Sequence, residues 1–176
     1  MLQRTPNSNG TIYLDAYRLD DAAVFVEVDR DPEHRRRFEF PEDFVPSLEH
    51  SQNVIRSWME AAKSGTLYGF AVRDLKTDQL VGGCEIRPQD KGTANLSYWT
   101  RHEFRGRGIA SGAVRIACGI ASQLGITRLE ILVDEDNHAS MRVALKNGFA
   151  LSGERDGRVC YHRNPQTEFE TVDESP

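Results

Sequence analysis

Cysteine is scarce in this chain of 176 residues, and its three thiols, Cys84, Cys118 and Cys160, are scattered. None has the short spacing of a metal-binding pair, so no metal site and no disulfide framework is expected. An odd count of thiols points to reduced, buried cysteines in a cytoplasmic protein. No apolar run approaches the roughly 20 residues of a membrane span, and the N-terminal stretch MLQRTPNSNG lacks the apolar core of a signal peptide. Positive charge is not in excess either. A formal net charge of −5 argues against nucleic acid as a partner, because phosphate attraction supplies most of that affinity. A local basic pocket stays compatible with it. Internal repeats and linker-like boundaries are also missing. What is present, 39% hydrophobic and 28% charged residues, suits one compact domain with a sizeable core.

Residues 1–10 read as a flexible polar leader. Thr11 to Leu19 reads as a strand, and Leu19-Asp20-Asp21 as a helix start ahead of Ala22, Ala23, Phe25 and Val26. Asp29 to Pro46 is irregular, with three consecutive arginines (Arg35 to Arg37) and the aromatics Phe38, Phe40 and Phe44. It reads either as a charged loop pinned by aromatic anchors or as a substrate-facing lid. Ser47 to Ser64 is an amphipathic helix, with Leu48, Ile55, Trp58, Met59 and Ala62 at helical spacing and Gly65 at its end. The strands Leu67–Arg73, Leu80–Arg87 and Ala94–Thr100 follow as an antiparallel meander.

The next stretch, Phe104-Arg105-Gly106-Arg107-Gly108-Ile109-Ala110, leaves the third strand and opens a helix running to about Gln123. Its apolar side is read as Ile109, Ala113, Ile116, Ala117, Ile120 and Leu124. Glycines and alanine at a helix start leave backbone N–H groups uncovered. With the helix dipole, roughly half a positive charge, they form a seat for phosphate. Arg105 and Arg107 add fixed charge beside it. Thr127 to Asp134 is then a strand. The helical connection makes it a parallel neighbour of the third meander strand. Asn137 to Asn147 is a short helix stopped by Gly148. Phe149–Ser152 and Arg158–His162 form a hairpin around Asp156-Gly157, and residues 164–176 read as a disordered acidic tail.

Three elements in this order carry a resemblance: Tyr98-Trp99-Thr100, the turn from Arg105 to Ala110, and Asn137-His138-Ala139-Ser140 leading to Lys146-Asn147-Gly148-Phe149. Together they resemble the GCN5-related N-acetyltransferases (the GNAT superfamily), most closely the RimJ/RimL-like branch. The turn fits the signature Arg/Gln-x-x-Gly-x-Gly/Ala residue by residue. The resemblance implies a single α/β (α+β) domain over residues 11–163, with a mixed central sheet of six to seven strands, a splayed parallel pair and flanking helices. It implies acetyl-CoA (coenzyme A) as co-substrate, without a metal. The main chain of Tyr98, Trp99 and Thr100 would hold pantetheine like an added strand, and N–H groups from Gly106 to Ala110 would seat the pyrophosphate. Asn137 would hydrogen-bond the pantetheine arm, cap its helix, or both.

Many relatives carry a tyrosine where this chain has Ala144. Ser140 is then the residue placed to protonate or bind the leaving thiolate. The implied reaction is direct attack of an amine on the thioester in a ternary complex. Glu85, midway along its strand, is the leading candidate for a base if it faces a cleft rather than solvent. Glu154 is a second candidate, and His102 and His138 flank the cofactor stretch. The acceptor reads as a protein N-terminal α-amine, with a small amine (polyamine, amino acid or amino-sugar) as an alternative. A non-catalytic acyl-CoA-binding module is another reading, and pairing as a homodimer accords with the resemblance. Gly108→Val is expected to weaken acetyl-CoA binding, measured by calorimetry, far more than it lowers stability.

Overall fold

The computed structural model describes residues 8–169. Most of the leader expected over 1–10, and half of the tail expected over 164–176, lie outside that range. The chain runs β1 (Ile12–Ala16), α1 (Ala22–Val28), α2 (Pro32–Arg37), α3 (Leu48–Ser64), β2 (Tyr68–Asp74), β3 (Leu80–Pro88) and β4 (Thr93–Thr100). It continues with α4 (Ile109–Gln123), β5 (Arg128–Val133), α5 (His138–Lys146), β6 (Ala150–Arg155) and β7 (Arg158–Arg163). The strands form one seven-stranded sheet in the order β1-β2-β3-β4-β5-β7-β6. Every neighbouring pair is antiparallel except β4 with β5. This is the α/β architecture with one parallel pair that the sequence implied.

Strand alternation divides the core in two. Ile12, Leu14, Val72, Cys84, Ile86, Ala94 and Leu96 pack on one face beneath α4 and α5. Tyr17, Ala71 and Trp99 point to the other face and meet Phe25 of α1 and Ile55 of α3, with Trp58 packed alongside. That second core is largely aromatic, with Tyr17, Phe25, Trp58 and Trp99 rings at 4.9–5.6 Å centroid separations.

Three local readings change. The strand read as Thr11–Leu19 ends at Ala16, because Arg18 turns the chain into a 3₁₀ turn over Leu19–Asp21. The segment 29–46, read as irregular, contains α2. Asp31 caps it by accepting the Glu33 N–H at 3.0 Å, and Pro32 starts it. On the side of α4 that meets the sheet, Ile109, Ala113 and Ala117 of the stripe read from the sequence are joined by Gly112, Val114, Cys118 and Ala121, while Ile116 and Ile120 are only half-buried and Leu124 is exposed. Small residues win there because the helix lies close on the sheet. A Cβ on Gly112 would sit 3.1 Å from Ile12 Cδ1.

The chain beyond β7 turns back over the sheet. Arg163 is buried, donates to the carbonyls of Thr167 (2.6 Å) and Glu168 (3.2 Å), and stacks on the Phe169 ring, with Arg115 of α4 also over that ring. Among the described residues no helix is long and apolar enough to cross a membrane.

One glycine in the sheet makes room for the aromatic core. A Cβ on Gly83 would stand 2.1 Å from the Tyr17 hydroxyl and 2.3 Å from Trp99 Nε1. Both neighbours are buried, stiff side chains. Gly83→Ala is therefore expected to destabilise the protein by about 1–3 kcal/mol, read from the urea midpoint at unchanged m-value.

Candidate active site

The site exists because one ladder stops early. β4 pairs with β5 only at Thr93↔Arg128, Ala94↔Leu129 and Asn95↔Glu130. Beyond these, β4 stays bonded to β3 as far as Thr100, and β5 stays bonded to β7 as far as Val133. Each diverging strand is thus anchored on its outer edge, and the facing edges open without loss of the rest of the sheet. The opening continues into a cavity of about 920 Å³ that reaches both faces of the sheet. Its lining includes Tyr98, Trp99 and Thr100 on β4, Leu132 and Val133 on β5, and Gly106, Gly108, Ile109 and Ala110 at the start of α4. Thr100 Oγ1 is buried there without a protein partner.

The start of α4 has the features of an anion seat. Gly106 and Gly108 both lie in the left-handed region, at φ +75° and +77°, and nothing is within 4 Å of a Cβ built on either. Gly108 is the N-cap and supplies no side chain to the first turn. The first α4 bond runs from Gly112 N–H to Gly108 O at 2.9 Å, so the N–H groups of Ile109, Ala110 and Ser111 have no acceptor within the helix. The left-handed φ changes one expectation. Valine at 108 would strain the backbone as well as fill the seat, so it would not separate binding from stability.

The two flanking arginines have partners of their own. Arg105 forms an ion pair with Asp31, the cap of α2, and also donates to Thr100 O at 3.3 Å. It lines the cavity as a strut between the turn and α2. Arg107 lies over the Phe104 ring, 5.3 Å from its centroid, and is not part of the cavity wall.

On the far side of the opening, Asn137 caps α5 by accepting the Ser140 N–H at 3.1 Å. Ser140 Oγ lies 2.6 Å from the Tyr98 hydroxyl, so a hydroxyl pair bridges α5 and β4 across the split. Burial pushes the Tyr98 phenol up to about 12. The sequence signalled Tyr98 only through its main chain. Its alternation with Leu96, on the face that α5 covers, was the available clue to its hydroxyl. Ala144, on the same helix as Ser140, is fully buried.

On the opposite face Glu85 lines the cavity, with a side chain only 16% exposed. Burial raises its carboxyl above the usual range, and Arg87 at 3.6 Å offsets this in part. Of the two orientations open to it, Glu85 takes the cleft. Glu154 lies on the outermost strand, exposed and outside the cavity wall, as is His138. His102 is exposed, 3.4 Å from an Arg105 nitrogen. None of these three joins Glu85.

The mouth on the Glu85 side is walled by α2. His34 is its one buried residue, 5.7 Å from the Trp99 ring and stacked on Phe38; burial lowers it to about 4. Arg37 reaches Asp134 at 2.9 Å and also pairs with Asp136, and Arg36 reaches Asp136 at 2.8 Å. Arg158 of β7 joins Asp134 (3.1 Å) and Glu39. Arg35 holds the following loop by donating to the carbonyls of Phe44 (3.0 Å) and Pro41 (3.1 Å). The segment is both a pinned loop and a cavity wall, so the two readings of 29–46 are not exclusive. Among the described residues, no group of three metal-ligating side chains is assembled.

Comparison with known proteins accords with this geometry. Residues 11–150 match the family described as "Acetyltransferase (GNAT) domain". Over 114 residues the chain is 32% identical to the ribosomal-protein-serine acetyltransferase of Escherichia coli strain K12, an alignment covering 62% of this chain and 62% of that protein. The match thus spans about three fifths of that relative's length. Its fold is shared with RimL, a ribosomal alpha-N-protein acetyltransferase solved with coenzyme A. That likeness has a TM-score of 0.75 at 20% identity, over 90% of this chain and 96% of that one. It is also shared with the microcin C7 self-immunity acetyltransferase MccE, solved with acetyl-CoA and AMP, with a TM-score of 0.74 at 21% identity over 91% and 97% of the two chains. With a family match over most of its length, and with the split sheet and glycine-led helix in place, this chain belongs to the GNAT acetyltransferase family.

Proposed function

We propose that this chain moves the acetyl group of acetyl-CoA to a primary amine by direct attack in a ternary complex, and that the acceptor is a protein N-terminal α-amine. The observation that carries the reading is a single cavity containing an open β4 edge, an uncovered helix N-terminus, a hydroxyl pair and a buried carboxylate. Kinship with a ribosomal-protein-serine acetyltransferase supports the acceptor.

The residues fit acetyl-CoA. Free N–H groups from Gly106 to Ala110 suit its pyrophosphate, and the unpaired edge of Tyr98, Trp99 and Thr100 suits the amide-bearing pantetheine arm. Asn137 and Ser140 stand beside that arm. An N–H on the open edge would polarise the thioester carbonyl.

The amine must arrive neutral. An α-amine near ~7.7–8 gives up about one unit at pH 7, whereas a lysine near ~10.4 gives up over three, about 4–5 kcal/mol. Glu85, raised by burial toward neutrality, takes that proton directly or through water. As the C–N bond forms and the C–S bond breaks, the thiolate needs a hydrogen-bond donor. When the Tyr98 O–H donates to Ser140 Oγ at 2.6 Å, the serine O–H is free for the cavity. When Ser140 donates instead, the Ser140 carbonyl at 3.3 Å takes the Tyr98 O–H. The serine hydroxyl is thus the donor and Tyr98 orients it. A phenol pushed up to about 12 stays protonated at pH 7, so Tyr98 keeps the O–H that this pairing requires.

Four outcomes are expected. Ser140→Ala and Tyr98→Phe each lower kcat by about ten- to a hundredfold, the worth of one hydrogen bond to a charged group, and the double variant is no worse than the poorer single one. Stopped-flow thiol release measures this. Glu85→Gln loses at least about tenfold in turnover. In the native protein kcat/KM falls with acid as the amine and Glu85, at its raised pKa, both protonate, and in Glu85→Gln only the amine's own titration remains, so the acid limb becomes shallower. Asparagine tolerates the left-handed region, so Gly108→Asn is expected to cost about tenfold or more in acetyl-CoA affinity by calorimetry while the melting temperature moves little.

A further inference from the structure

The charges on the acceptor side of the cavity sort into closely and loosely paired. Glu33, Arg37, Glu39, Asp134 and Arg158 all line it, and all are spent on one another or on their neighbours Arg36 and Asp136. Arg105 is held by Asp31. Arg142 and Lys146 project from α5, the helix of Asn137 and Ser140, on the side assigned above to acetyl-CoA. On the sheet itself two opposite charges remain, Glu85 and Arg87, facing each other only loosely at 3.6 Å.

These two residues belong to a four-residue platform. Glu85 stands directly across from Ser97, and Arg87 directly across from Asn95, in the β3–β4 register. All four line the cavity. Strand geometry puts Glu85 and Arg87 on one face, two residues or about 7 Å apart along β3. Among the described residues the Asn95, Ser97 and Arg87 side chains make no hydrogen bond. Glu85 lies nearer the open edge of β4, and Arg87, 58% exposed, lies toward the strand end where β4 and β5 still pair.

We propose that this platform selects amines that carry a carboxylate a short distance away: Glu85 and Ser97 take the amine, and Arg87 with Asn95 takes the carboxylate. This rests on the acetyl-transfer reading above. In an extended peptide, the side-chain carboxylate of the second residue lies about 5–7 Å from the α-nitrogen, which matches the spacing of the platform. The favoured acceptor class is therefore a polypeptide with an acidic second residue. A polyamine would bring its second ammonium against Arg87. The net charge of −5 draws cations from a distance, but salt screens that attraction beyond about 8–10 Å, and the choice is made at contact.

The test compares four acceptors at 0.15 M salt, by initial rates of thiol release from acetyl-CoA. Three are peptides of equal length that begin Ser-Glu, Ser-Ala or Ser-Lys, and the fourth is spermidine. The expected order of kcat/KM is Ser-Glu above Ser-Ala above Ser-Lys and spermidine, with about tenfold or more between the ends. In Arg87→Glu the order inverts, and in Arg87→Met it flattens. Arg87 is exposed enough that both variants are expected to fold, with circular dichroism and calorimetric acetyl-CoA binding as the check. Equal rates on the three peptides, a lysine or spermidine preference in the native protein, or an order unchanged in Arg87→Glu would overturn the platform and leave acetyl transfer standing. Acetyl-CoA binding with no turnover on any amine would overturn both.

Discussion

A ladder of parallel hydrogen bonds three residue pairs long holds β4 to β5, and the cavity between the strands depends on its ending at Asn95 and Glu130. Had the strands stayed together, the sheet would be a closed wall between two cores. Because they part, backbone groups that a sheet would normally consume remain available, and side chains from both faces look into one space. The protein keeps this opening by bonding the outer edge of each strand along its length, β4 to β3 and β5 to β7. The unmet hydrogen bonds are thus confined to the place where a ligand can meet them.

The two sides of the opening are built on different physics. The donor side relies on backbone: left-handed glycines, a bare helix N-terminus and an asparagine cap. The acceptor side relies on side chains, with aromatic rings beneath and a set of ion pairs above. Burial acts in the same direction on the two buried titratable groups of the cavity, raising both. It keeps the Tyr98 phenol protonated at pH 7 and makes the Glu85 carboxylate hold a proton more readily than an exposed one would.

What was legible in the sequence follows from the range of the interactions involved. The glycine turn, the Asn137 cap and the helix ends at Gly65 and Gly148 depend on residues a few positions apart, and each was readable. Strand alternation and short turns gave the meander, and the helical connection gave the parallel neighbour. By contrast, α2 is six residues long, too short for an apolar period, and its arginines find their partners 97–100 residues later. The Tyr98–Ser140 pair joins residues 42 positions apart. The Arg105–Asp31 pair spans 74, so the partner of the charge beside the anion seat was not readable from the turn. Helix α4 misled for a different reason. The stripe read from the sequence held at Ile109, Ala113 and Ala117, whereas close approach to the sheet buried Gly112, Cys118 and Ala121 in preference to Ile116, Ile120 and Leu124.

The wall formed by α2 has only His34 in the core, and charge pairs at its rim hold the remainder. A short element so lightly rooted is open to exchange. Its residues could be replaced in a lineage one or two at a time without repacking either core and without touching the glycines, the cap or the open strand edge. The fold thus separates a fixed chemistry from a changeable clientele, and descendants of such a protein could take up new acceptors while handling the same donor.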